Sequence, residues 1–163
     1  MTDTPRHWLM KSEPGTYGID DLRRDGVTTW EGVRNYQARN YLRDEVRVGD
    51  LVLFYHSSTK PTGVAGLARV VRGAYPDPTA FDPEHPYFDT KSDPDVPRWL
   101  MVDVAFVEQW HAVVSLATLK AESALDGLLV TRKGQRLSVM PVDPDHYAHI
   151  VRLGRASGTW TED

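Results

Sequence analysis

The sequence predicts an α+β domain: a mixed, barrel-like sheet of about five or six strands with three or four short helices around it. Three observations carry that expectation. Short apolar runs bounded by glycine, proline or charged turns recur along the chain. Between them lie segments whose apolar residues fall at helical spacing. The length of 163 residues, 40% of them hydrophobic, suits one compact core, so residues 1–163 are read as a single domain.

The elements follow in order. Residues 7–11, His-Trp-Leu-Met-Lys, form an opening strand with a polar exit. Residues 19–25 carry Ile19 and Leu22 and stop at Gly26, a short helix. In residues 35–46, Ala38, Tyr41 and Leu42 keep helical spacing up to Val48-Gly49-Asp50. Residues 51–56 are apolar enough for a buried strand, and residues 63–71 form another. Gly63 and Gly66 mark a bulge or close backbone approach there. Six prolines between residues 74 and 98 exclude helix and central strand, which leaves a long surface arm. Residues 99–110 make a long strand, and residues 115–122 a helix capped by Ser115. Residues 137–142 make a short strand and residues 144–153 a closing helix. Residues 1–6 and 155–163 are expected to be flexible tails.

Composition narrows the function classes. The chain has no cysteine, hence no disulfide, thiolate nucleophile or cysteine-based zinc site. It carries neither a membrane-length apolar run nor a secretory leader pattern, so a cytosolic address is expected; a monomer is expected as well. A net charge of −4 argues against non-specific coating of nucleic acid, which needs many cation–phosphate contacts. Any nucleic-acid footprint should be short.

The chemistry-bearing motifs are sparse. There is no nucleophile elbow, Walker loop or dinucleotide fingerprint. His146 and His149 stand three apart on a helix, short of a zinc motif, and no metal or cofactor is expected. Asp20-Asp21 and Asp143/Asp145 sit at helix starts, where capping accounts for them. Residues 30–40 are richer: Tyr36, Asn40, Arg43 and Arg47 gather on one helix face, which could stack a base, read its edge and hold phosphate. The same face is equally a solvated surface laced with side-chain pairs. Lys11 and Ser12 leave the first strand, and His56 and Ser57 leave a buried one, both places where polar groups converge on pockets. Adjacent strand residues diverge, so His56 and Ser57 make a poor nucleophile–base pair.

Taken in order, Trp8-Leu-Met-Lys-Ser-Glu-Pro14, Trp30-Glu-Gly-Val-Arg-Asn-Tyr-Gln-Ala-Arg-Asn40 and Gly49-Asp50 with Phe54-Tyr-His-Ser57 resemble the EVE domain of the PUA-like superfamily. Gly63-Val-Ala-Gly66, Ala74-Tyr-Pro-Asp77, Trp99 and Arg136-Leu-Ser-Val139 extend the match. The resemblance implies a PUA-like β-barrel, related in fold to YTH and ASCH domains, that binds DNA or RNA bearing a modified base, modified cytosine in DNA above all. YTH relatives read methylated adenine in RNA through an aromatic cage. The residues it implies are Lys11, Ser12, Trp30, Asn35, Tyr36, Asn40, His56, Ser57, Arg136 and Ser138, with Trp30 and Tyr36 as pocket walls. Arg39, Arg43 and Arg136 are assigned to phosphate. No catalysis is expected; the alternative is a small enzyme working on a modified nucleotide through His56.

Overall fold

A computed structural model describes residues 4–160. In chain order it contains β1 (His7–Ser12), α1 (Pro14–Tyr17), α2 (Ile19–Asp25), β2 (Val27–Thr29), α3 (Tyr36–Asp44) and β3 (Leu51–His56). These are followed by β4 (Gly63–Pro76), β5 (Leu100–Ser115), α4 (Leu116–Ala121), β6 (Val139–Val142), α5 (Pro144–Arg155) and β7 (Thr159–Trp160). The α+β expectation holds.

The strands form one sheet in the order β2-β5-β4-β3-β1-β6, with β7 also paired to β5. Among the described residues no ladder joins β6 back to β2, so the sheet is open and the closed barrel is corrected. Closure requires the first and last strands to meet along a common register. The end strands here, Val27–Thr29 and Val139–Val142, offer few rungs for that.

At the centre, β1 and β3 run parallel, Trp8 opposite Val52 and Ser12 opposite His56. Both are covered on two faces, which is why their cores read as unbroken apolar runs rather than as alternation. Asp50 locks the entry to this pair. Its buried carboxylate accepts the Arg6 and Arg47 amides and the Trp8 indole N–H, at 2.9 to 3.0 Å. A buried carboxylate survives only with such a full complement of donors.

Gly63 and Gly66 lie where the neighbouring backbone comes close. A Cβ on either would sit 2.1 Å from Val114 O or 2.3 Å from Glu108 O, and the β4–β5 register shifts between Val64 and Gly66. The expected bulge is present. β4 runs on to Pro76 because β5 supplies partners as far as Leu100. Pro76 is its last residue, where one missing ladder donor is tolerated. Neither α1 nor β2 was foreseen; both are too short to show a period.

The helix caps follow the sequence. Asn35 Oδ1 accepts the Ala38 amide at the start of α3, Ser115 accepts Thr118, and Asp143 accepts Asp145. The arm between β4 and β5 holds one 3-10 turn, Pro78–Phe81, capped by Asp77. Of the two expected tails, residues 1–3 and 161–163 lie outside the described span. Within it, Arg6 O accepts the Leu51 amide, and Thr159–Trp160 pair with Trp110 and Gln109.

Candidate nucleic-acid interface

Parallel pairing of β1 and β3 brings both their exits to one end of the sheet, and antiparallel β6 begins at that same end. A cleft of about 520 Å³ opens there. Lys11 and Ser12 enter it from β1, Ser57 from just past β3, and Ser138 from just before β6. Two backbone bonds fix this convergence: the Lys11 amide donates to Ser138 O, and the Ser57 amide to Ser12 O. Thr28 to Val33, with the Tyr87 ring over Gly32, and Glu13, Thr16 and Tyr17 complete the lining.

The cleft is rich in hydroxyls and poor in cations. Ser12 donates to Tyr17 O at 2.5 Å. The Ser57 and Ser138 hydroxyls and Lys11 Nζ have no hydrogen-bond partner among the described residues. Half-burial lowers the Lys11 pKa, and the amine stands 5.8 Å from the Tyr55 ring. Glu13 and Glu31 share the cleft with this one ammonium. Such a charge balance does not gather phosphates. It suits a neutral, planar group with donors and acceptors on its edge.

Trp30 lines the cleft yet is only 6% exposed, and it packs edge-on against Phe54 at 5.3 Å. The ring expected as a pocket wall is thus also a member of the core. Its amide donates to Val102 O, so the segment after β2 is tied to β5 and its ring is drawn inward.

The remaining residues singled out in the sequence lie elsewhere. Asn35 is spent on its cap. Tyr36 is half-exposed and stacks on Trp99 at 4.9 Å, while its hydroxyl accepts from Arg98. Arg39 covers the Tyr36 ring and donates to Asn40 Oδ1 and Arg98 O. Arg43 pairs with Asp44, both well exposed. Arg136 is exposed, two residues before Ser138. His56 is not among the cleft-lining residues: its Nε2 accepts the Ile19 amide at 3.1 Å. Burial lowers the His56 pKa, outweighing the carboxylates of Asp20 and Asp21. Of the helix pair, His149 Nε2 lies 2.7 Å from Glu122.

Sequence reasoning missed the network that carries the arm to the cleft. Asp77 is fully buried and accepts from the Gly32 amide, the Arg34 guanidinium and the Thr79 amide and hydroxyl. Burial pushes its pKa up, but these donors outweigh it and hold the carboxyl below its ordinary range. Arg34 also gives two N–H groups to Tyr87 O, at 2.7 and 3.1 Å. The one available signal was an adjacent aromatic pair, Tyr87-Phe88, inside a proline-rich arm.

Comparison with known proteins bears on this geometry. The EVE domain family matches residues 6–153. Human thymocyte nuclear protein 1 is 41% identical over 167 aligned residues, covering 90% of this chain and 73% of the human protein. The solved structure of human THYN1 in complex with 5-methylcytosine-containing DNA superposes with a TM-score of 0.84 at 39% identity, over 91% of this chain and 97% of that one. A Leishmania major protein gives a TM-score of 0.89 at 49% identity, over 94% and 96% of the two chains. The YTH domain of Zygosaccharomyces rouxii MRB1, at 14% identity and a TM-score of 0.54 over 94% and 88%, shares the fold alone.

Proposed function

The chain belongs to the EVE domain family, and on that premise we propose that it binds nucleic acid carrying a modified base, without catalysis. Modified cytosine in DNA is the favoured ligand, with modified RNA as the second class. The observation that carries this reading is the cleft at the β1–β3 exits, where hydroxyls and one half-buried ammonium face aromatic rings. A flipped or unpaired base would place its edge against Lys11, Ser57 and Ser138, whose side-chain polar atoms have no partner among the described residues. The phosphates would stay outside, where the exposed Arg136 is close in sequence to the cleft wall.

The relative solved with 5-methylcytosine DNA supports this ligand class. On the same reading the protein acts as a cytosolic monomer. Turnover through His56 is disfavoured, because its Nε2 is committed to the Ile19 amide. The test is a binding screen with short single-stranded DNA and RNA that differ only in one central base, cytosine against 5-methylcytosine and adenine against N6-methyladenine. Tighter binding of a modified member is expected, with every oligonucleotide recovered chemically intact. Equal affinity across all four, or conversion of a base, would overturn the proposal.

A further inference from the structure

We propose that Tyr87, delivered by the arm, is the aromatic side chain that packs on the bound base, and that Arg34 and Gly32 are its positioning residues. This deepens the reading above and rests on the cleft taking a base.

Tyr87 is held in place from several sides. Its carbonyl takes two Arg34 N–H groups, and its amide donates to His85 Nδ1 at 3.1 Å. Arg34 in turn is anchored by Asp77, a buried carboxylate. The ring lies directly over Gly32: a Cβ there would come 2.4 Å from a ring carbon. Gly32 also has φ +85°, a conformation that side-chain-bearing residues rarely adopt. All these contacts position a half-buried ring that does not belong to the hydrophobic core. The ring packs on His85 at 5.4 Å and near the Arg34 guanidinium at 5.7 Å, outside the main core, and lines the cleft. A ring fixed before the ligand arrives loses little freedom on binding, and base–aromatic stacking tolerates any planar heterocycle.

The competing rings fit less well. Trp30 is turned inward, with only 6% exposed. Tyr36 faces Trp99 instead of the cleft. Tyr17 lines the cleft, but its hydroxyl is drawn to Asp25 at 2.9 Å.

The experiment measures affinity of the full chain for a short single-stranded DNA with one central 5-methylcytosine, and for the same strand abasic at that position. Tyr87→Leu keeps apolar bulk but removes the π face, and should weaken binding of the modified strand by about 10- to 100-fold. Tyr87→Phe should bind like the wild type. On the abasic strand the wild type should lose its advantage over Tyr87→Leu. Wild-type binding left intact by Tyr87→Leu would overturn this assignment alone, and so would loss with Tyr17→Leu instead. A wild type that does not distinguish 5-methylcytosine from cytosine or from the abasic strand would overturn the reading beneath it.

Discussion

The end of the sheet where β1 and β3 exit and β6 begins, and the outer face of α3, both looked suited to nucleic acid, and the fold treats them oppositely. On α3 the groups satisfy one another: Tyr36 stacks on Trp99, Arg39 binds Asn40 and Arg98, and Arg43 binds Asp44. Where β1 and β3 end and β6 begins, Lys11, Ser57 and Ser138 converge on a cleft without such partners among the described residues. Saturated polar groups hold structure together; converging polar groups left unpaired await a ligand. Residue type did not separate the two regions. Hydrogen-bond accounting does.

The sharpest way to break the contrast is Trp30→Ala. A buried indole lost from the core should cost about 3–5 kcal/mol of stability by denaturant unfolding. A cost near zero would make Trp30 a cleft wall alone and put the core boundary in the wrong place.

Asp77→Ala tests whether the arm is clamped to the cleft. Breaking a buried ion pair costs about 3–5 kcal/mol. The lower end is expected, since Arg34 is 23% exposed and can regain water. Hydrogen exchange should rise around Tyr87 before it rises in β1 or β3, and uniform protection would show that the arm is held by something else.

His56 offers a smaller effect with a definite sign. Its pKa is lowered in the fold, chiefly by burial, so the unfolded chain takes up the proton first. Stability from the neutral ring is present above the unfolded pKa and is lost as pH falls through the folded value. The melting temperature should therefore fall between about pH 7 and pH 5. His56→Gln should make that fall shallower. Burial lowers the His7 pKa as well, so part of the slope should survive. Identical slopes would remove His56 from the buried network.

Arg43→Ala should do least, leaving the melting temperature close to that of the wild type, because its partner is an exposed neighbour. Its affinity for modified DNA should match the wild type across salt concentrations. A reduced salt slope would return α3 to the binding surface and erase the contrast drawn above.

Much of the framework was legible in the sequence, because its causes are local. Asn35, Ser115 and Asp143 cap the helices they precede, and Gly63 and Gly66 mark the bulged approach of β4 to β5. The candidate site was legible in part. Lys11, Ser12, Trp30, Ser57 and Ser138 do meet at one cleft, while Asn35, Tyr36, Arg39, Asn40, Arg43, His56 and Arg136 are not among its lining residues. Tyr36 and His56 lie outside this cleft, engaged by Trp99 and by the Ile19 amide, and a polar or aromatic side chain reads the same in sequence whether or not a distant residue has already engaged it.

What the sequence determined by itself is the longer elements and their caps, since periodicity, caps and turn residues act over a few positions. Only the tertiary structure decided that the sheet stays open, that Trp30 turns inward, and that Tyr87 comes to the cleft. Arg34 reaches Tyr87 across 53 residues and Asp77 across 43. A contact at such separation depends on the register of strands paired in between, and no local pattern encodes it.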